Sequence, residues 1–439
     1  MIVRNEEAVL SDCLSSVKEV ADQLVVVDTG STDDTISIAS SYGAEIHHFQ
    51  WIDDFATARN ESIKYATGDW ILWLDADERL LESSVDPLKR LLAPPKCPVI
   101  YKVHIRNLQR DGQSYTMSMS HRLFSRHPQI HFSGRIHEQV HPSLKAAGGM
   151  EKPSGIVLEH KGYALEEDQM RAKFNRNMEL LEAMVEEQPD SAYAYYTLGQ
   201  NHALLGEQDQ ALQAYLRALE INLFTGSSAA TLYNALAETC WQLDRLDEAE
   251  NYALKSLTIT GRQTSGNYIM YRIMHSTGNV SGQIEYLERI LPYSHQGNMG
   301  SISDLPKDIS LPRQHLLFSL GKLHISSENF SSAEKALKEC LELDSERREV
   351  RELLATVLAR QNRWEEFIAI LVDLQQPYSR NLRELYGIAL VKLQRFNEAI
   401  IHYQAWLKDE PAHEDLRRRL AGLYAKTGDR QAAEHLLKK

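Results

Sequence analysis

Cysteine is scarce: Cys13, Cys97, Cys240 and Cys340 are the only four in 439 residues, far apart and with no CxxC pair. That spacing excludes a disulfide framework and a zinc ribbon, and reduced, partly buried thiols are expected. Long apolar runs are missing as well, none approaching the ~20 residues that a bilayer-spanning helix needs. The opening "MIVRNEEAVL" lacks the apolar core of a signal peptide, so a soluble, cytoplasmic protein without a membrane span is expected. Basic charge is in deficit, 48 Lys and Arg against 61 Asp and Glu for a formal net charge of -13, which argues against a general nucleic-acid binder. The first strand-like segment carries no glycine, so the GxGxxG of a dinucleotide-binding dehydrogenase is absent.

What is present has the apolar and charged content of ordinary globular protein, in a chain too long for one compact core. Residues 1 to about 165 alternate between strand-like and helix-like segments. "MIV" reads as a short first strand, with Asn5 a candidate cap for a helix whose apolar face is Val9, Leu10, Cys13, Leu14 and Val17. "LVVVD" reads as a second strand, "EIHHF" as a third and "WILWL" as a fourth, with helical segments between them. Gly30 allows a tight turn after the second strand, where Ser31 or Thr32 can cap the next helix, and Gly43 ends it. This order predicts a mostly parallel mixed sheet covered by helices, with ligands bound beyond the carboxyl ends of the strands. Farther on, "VIYKVHI" and "SYTMSMSHRLF" flank Asp111-Gly112, a hairpin signal.

Asp28 and the pair Asp75 and Asp77 fall at predicted strand ends. Extended geometry through Ala76 would put both members of the pair on one side, where like charges ask for a cation or a strongly basic partner between them. A haloacid-dehalogenase phosphatase also ends an apolar strand in two aspartates, but here Glu78 follows the second and the motif sits on the fourth strand. A third chemistry is transfer from a nucleotide diphosphate sugar, with Mg²⁺ or Mn²⁺ bridging carboxylate and diphosphate. Five histidines, His121, His127, His131, His137 and His141, match no zinc spacing and are expected to be scattered structural or surface residues.

From about residue 166 the chain is helical in pattern and repetitive. Tyr195, Leu198, Gly199, Gly206, Ala211, Tyr215 and Ala218 sit where a tetratricopeptide repeat places its packing residues, and Tyr386, Gly387, Ala399, Tyr403 and Pro411 repeat the pattern. Ala399 to Ala433 and Ala333 to Phe367 are both 34 residues, although Phe367 is bulky for its position. Residues 264 to 312 are degenerate and include a Gly/Ser/Pro-bearing stretch that reads as a loop. Six or seven helix pairs fit, a solenoid suited to binding peptide or protein.

"MIVRNEE", "VVVDTGSTDDT", "ARN" at 58–60 and "WLDADE" together resemble a family 2 glycosyltransferase of GT-A fold over residues 1 to about 163. "FSGRIHEQV" (132–140) and "HKGY" (160–163), followed by the repeats, resemble a narrower bacterial subgroup that includes peptide S-glycosyltransferases alongside many members with no assigned acceptor. The resemblance implies an α/β GT-A domain over 1–165, a linker helix over 166–190 and an all-α repeat solenoid over 191–439. It implies a UDP-sugar donor, Mn²⁺ or Mg²⁺, and an inverting transfer to a peptide or protein acceptor recruited by the repeats, or to a glycan. It places Val3, Arg4 and Glu6 beside the uridine pocket, Asp28 on the base, Arg59 near the nucleotide and Asp75 on ribose or sugar. Asp77 would hold the metal, with Asp75 beside it and His160 a further candidate ligand, and Glu138 would be the general base. It further implies strand residues ahead of "MIV", so the first strand is expected to be short. The rival from another class is a non-catalytic repeat scaffold whose first half is a degenerate transferase.

Overall fold

In a computed structural model the described residues are 1–108, 115–161, 167–294, 305, 307–373 and 378–437. Three short parallel strands come first: β1 (Ile2–Val3), β2 (Val25–Asp28) and β3 (Glu45–His48), in the order β1-β2-β3. Between them run α1 (Leu10–Val17) and α2 (Thr35–Ser41), and α3 (Phe55–Lys64) follows, its start capped by Asp54 accepting from the Thr57 amide at 2.9 Å. Val3, Leu10, Leu14, Val26, Ala39 and Ala76 form one buried cluster on this sheet. The apolar face read from the sequence of α1 is buried at Leu10, Cys13, Leu14 and Val17.

The second sheet is where the mostly parallel expectation gives way. It contains β4 (Trp70–Leu72), β5 (Glu78–Leu80), β6 (Val99–Leu108), β7 (Tyr115–Ser125) and β8 (Met150–His160), in the order β4-β7-β6-β8-β5. Short helices α4 (Val85–Leu91) and α5 (His141–Ala146) interrupt this run. Among the described residues only β6 and β8 pair in parallel here; β4 with β7, β6 with β7 and β5 with β8 are antiparallel. The cause is that β6 and β7, close in sequence, lie antiparallel, so β4 joins a hairpin partner in place of its predecessors. The Asp111-Gly112 turn signal lies outside the described residues, as do Gly162 and Tyr163.

Helices continue as α6 (Glu167–Glu187), α7 (Ala192–Leu205), α8 (Gln208–Ile221), α9 (Gly226–Gln242), α10 (Leu246–Ile259), α11 (Ser265–Ser276) and α12 (Val280–Ile290). After β9 (Lys307–Ser310) come α13 (Arg313–Ser326), α14 (Phe330–Leu343), α15 (Arg348–Arg360), α16 (Trp364–Asp373), α17 (Arg380–Lys392), α18 (Phe396–Asp409), α19 (Glu414–Thr427) and α20 (Arg430–Leu437). From α7 to α20 these make seven successive pairs in chain order. Much of the loop expected in 292–306 lies outside the described residues, but β9 just beyond it pairs antiparallel with β7.

The chain divides into two compact units, Met1–Gly278 with Pro292–Leu311, and Asn279–Leu291 with Pro312–Lys439. Within the repeats the small and large positions meet as their pattern demands: a Cβ on Gly199 would lie 2.7 Å from Tyr215, and one on Gly321 2.6 Å from Leu337. Phe367, the bulky departure, is itself fully buried. Among the described residues no helix is long and apolar enough to cross a membrane.

Candidate active site

The loops after β1 and β2 lock onto each other. Val3 points its side chain into the core, and its carbonyl accepts from the Thr29 amide and hydroxyl, both at 3.0 Å. Asn5 does not cap α1; it adopts a positive φ of 55° and its Oδ1 accepts from the Thr32 amide at 2.8 Å. The Glu6 amide donates to Thr35 Oγ1 at 2.7 Å, and the Asp34 amide donates to Glu7 Oε2 at 3.0 Å. Neither Ser31 nor Thr32 caps α2; Asp33 Oδ1 takes the Thr35 amide instead, at 3.1 Å. Asp28 is buried, and its carboxylate accepts from the amides of Gly30 at 3.1 Å and Ser31 at 3.0 Å. Burial disfavours its charge, but these bonds and His48 Nδ1 at 3.4 Å outweigh burial and hold it below the usual carboxylate range. Arg4 stands exposed at the edge of this braced pair of loops.

The extended geometry expected through Ala76 is replaced by a turn: β4 ends at Leu72, and the Glu78 amide donates to the Asp75 carbonyl at 3.1 Å. Ala76 is buried against the first sheet, which fixes the turn and sends its two acids to different partners. Asp75 receives Arg59 Nη2 on Oδ1 at 2.5 Å and Arg122 Nη2 on Oδ2 at 3.0 Å. Burial opposes its ionisation, but the two guanidiniums hold it well below the carboxylate range. Arg122 also donates to the buried Glu78 Oε1 at 2.5 Å, and Glu78 Oε2 accepts the Asp75 amide at 3.0 Å. Burial pushes the Glu78 carboxyl up to about 7, against the pull of Arg122.

Trp73 holds the two arginines. Its ring lies 4.1 Å from the Arg59 guanidinium carbon and 3.5 Å from that of Arg122. Arg59 Nη1 and Arg122 Nε and Nη1 are buried with no hydrogen-bond acceptor among the described residues, and the indole face serves in its place.

Asp77 meets a different group. Its Oδ2 lies 3.1 Å from His160 Nε2, and His160 Nδ1 lies 2.9 Å from Asn107 Oδ1. Asn107 Nδ2 donates to Ser118 Oγ at 3.1 Å and to the Thr116 carbonyl at 3.3 Å, so its Oδ1 is the acceptor and His160 Nδ1 carries the proton. Nε2 therefore faces Asp77 either as part of an imidazolium or as a lone pair beside a carboxylate, the arrangement that suits a shared cation. Burial disfavours the charged ring, but the bond to Asp77 raises its pKa. Among the described residues no group of three or more His, Cys, Asp or Glu side chains is arranged to hold a metal ion. Asp77 and His160 offer two ligands, which fits a hard cation that completes its shell with substrate phosphate and water.

Glu138 reaches the same network from the opposite side, its Oε1 accepting from Arg59 Nε, with its side chain 7% exposed. Arg59 thus joins Asp75 to Glu138, two residues that sequence reasoning assigned to donor and acceptor separately. Sequence reasoning missed Arg122, Trp73 and Asn107. Of the five histidines, His121 and His141 stack at 5.1 Å and share Glu151 Oε2, at 2.7 and 3.5 Å.

Residues 1–140 match the model of Glycosyl transferase family 2, and 192–224, 230–262 and 318–379 match tetratricopeptide repeat models. A TPR repeat-containing protein of Synechococcus elongatus is 40% identical over 205 residues, 45% of this chain and 50% of that protein. The SPbeta prophage-derived glycosyltransferase SunS of Bacillus subtilis is 28% identical over 222 residues, 49% of this chain and 51% of that protein. An uncharacterized glycosyltransferase of Rickettsia typhi is 26% identical over 186 residues, 40% of this chain and 63% of that protein. The chain thus spans about half the length of the first two of these relatives. With the strand-end acids and the paired loops in place, these matches identify a glycosyltransferase family 2 domain at the N-terminal end of the chain, followed by tetratricopeptide repeats.

Proposed function

We propose that the chain is a metal-dependent inverting hexosyltransferase of the cytoplasm that takes a sugar from a UDP-sugar and hands it to a peptide or protein. In this reading residues 1–165 do the chemistry, the helix within 166–190 links, and the repeats over 191–439 recruit the acceptor. The observation that carries it is the Asp77–His160 pair, with His160 Nδ1 committed to Asn107 and Nε2 turned to the carboxylate. Asp28, Val3, Arg4 and Glu6 would line the uridine side, and Arg59 with Asp75 the nucleotide and sugar side.

The two acids then divide the work. Asp75 is neutralised by two guanidiniums, so it is a fixed acceptor for ribose or sugar hydroxyls and a poor cation ligand. Asp77 and His160 would hold Mn²⁺ or Mg²⁺. A bound divalent cation supplies Lewis-acid neutralisation of the departing diphosphate. Glu138, held on one oxygen by Arg59, would take the acceptor proton as the nucleophile closes on the sugar. A cysteine acceptor needs this base less than a hydroxyl, because a thiol of pKa ~8.5 is already partly ionised near neutrality.

The test is the melting temperature with UDP and Mn²⁺ together, each alone, and neither. A rise that needs both and vanishes in His160→Ala is expected, because a ligand that binds only the folded state stabilises it. No rise in the parent protein would overturn the reading.

A further inference from the structure

The loop that carries Glu138 is not held by the sheet domain alone. Ser133 and Gln139 close its neck with two backbone bonds at 3.0 and 2.9 Å. Gly134 at φ 102° and His137 at φ 53° bend it so that Ile136 leads. Ile136 is 4% exposed and packs with Leu180, Leu181 and Met184 of α6 and Ala194 of α7, with Phe55 at the margin. Arg135 binds Glu187, the last residue of α6, through Nε at 2.9 Å and Nη2 at 2.6 Å, and its carbonyl accepts the Phe55 amide at 2.8 Å. Tyr193 of α7 donates its hydroxyl to the His137 carbonyl at 3.5 Å. Two residues beyond the Ile136 plug, Glu138 meets Arg59.

We propose that α6 and the start of α7 belong to the active-site framework: seating Ile136 between them, with Arg135 tied to Glu187, delivers Glu138 to Arg59. Ile136, Arg135 and Tyr193 are positioning residues, and the helical region begins with a part of the catalytic apparatus. This rests on the reading of Glu138 as the base. The physical ground is that a left-handed His137 costs free energy on its own, about 1 kcal/mol for a non-glycine residue, and persists only where surrounding contacts hold it. Beyond the neck bonds and Phe55 at the start of α3, those contacts come from the two helices. A base displaced by about 1 Å loses on the order of a hundredfold in rate, so loosening the plug reaches the chemistry without touching it.

The experiment is a double-mutant cycle on the full chain, reading release of UDP from UDP-glucose and UDP-N-acetylglucosamine in Mn²⁺. Ile136→Ala is expected to slow release about tenfold or more in the parent and less than about twofold in a Glu138→Gln background, with UDP affinity unchanged and Ile136→Val restoring most of the rate. Equal slowing in both backgrounds, or none in the parent, overturns the positioning role. Full activity of Glu138→Gln overturns the base assignment instead, so the two failures read differently. Glu187→Gln, a surface change that spares folding, should slow release in the same non-additive way by a smaller factor. Hydrogen exchange needs no donor: Ile136→Ala should speed exchange at the amides of Ser133, Gln139 and Phe55, and unchanged protection there would also overturn the proposal.

Discussion

Around Trp73 the sheet domain buries Arg59, Glu78 and Arg122, with Asp28 and Glu159 buried nearby in the same domain. Among the described residues of the helices α7 to α20 themselves, no Asp, Glu, Lys or Arg is buried; between them, Asp308 of β9 is buried and accepts the Thr264 and Ser265 amides, both at 2.7 Å. The repeats are built on volume: Gly199 under Tyr215, Gly321 under Leu337 and Gly387 under Tyr403, each with no room for a methyl group. Charges buried at a cost to stability are what the region proposed for chemistry would need, and close packing with little buried charge is what a repeatable scaffold needs.

The sharpest way to separate the two is to remove a charge that the proposed ligand would need. Asp77→Ala should abolish the rise in melting temperature on adding UDP with Mn²⁺ and lower transfer by about 100-fold, while the ligand-free protein melts as before. Removing a charge that the fold needs should do the reverse of that last clause. Arg122→Met strips the partner shared by Asp75 and Glu78 and should destabilise the sheet domain by about 3 kcal/mol in urea unfolding. Adding Glu78→Gln should recover part of that loss. If Arg122→Met melts like the parent, the buried charges are not what holds this domain.

The same contrast decides how much could be read in the residues beforehand. The repeats announce themselves because each contact lies within about one period, so Gly199, Tyr215 and the 34-residue steps suffice. The strand-end acids also stand out, since Asp28, Asp75 and Asp77 follow apolar runs. What those acids touch is hidden. Arg122 reaches Asp75 only because β4 pairs antiparallel with β7, leaving Trp73 bonded to Arg122 at 3.0 Å, and no local signal sets that register. His160 finds Asn107 across the parallel β6/β8 pair, again a non-local match. The turn at 75–78 was masked by a strong strand pattern, because burial of Ala76, which bends the chain, depends on a core contributed by β1, β2, α1 and α2.

Volume can be broken as cleanly as charge. In Gly387→Ala the added methyl would meet the Tyr403 ring, and overpacking of this kind costs about 1–3 kcal/mol. Unfolding of the second unit should shift accordingly, with the UDP and Mn²⁺ response intact. If that response were lost together with stability, the two regions would not divide the labour in this way.

The smallest effect probes whether the repeats tolerate charge at all. His402 packs against the rings of Tyr386, Tyr403 and Trp406, with Nε2 donating to the Arg383 carbonyl at 2.8 Å. Burial and the Arg383 charge lower its pKa below the ordinary 6.5, although the bond to the Arg383 carbonyl favours the proton. A depressed value means the neutral ring is the one that fits, so its contribution is whole above pH 6.5 and is lost as pH falls through the folded-state value. The second unit should therefore melt at progressively lower temperature on acidification from pH 7, and His402→Gln should flatten that slope. Flattening will be incomplete, because His324 in the same unit is also lowered by burial and adds to the slope. An unchanged slope in His402→Gln would mean that this part of the solenoid accepts a buried cation, and that the absence of buried charge among the described residues of the helices α7 to α20 reflects composition more than energetic need.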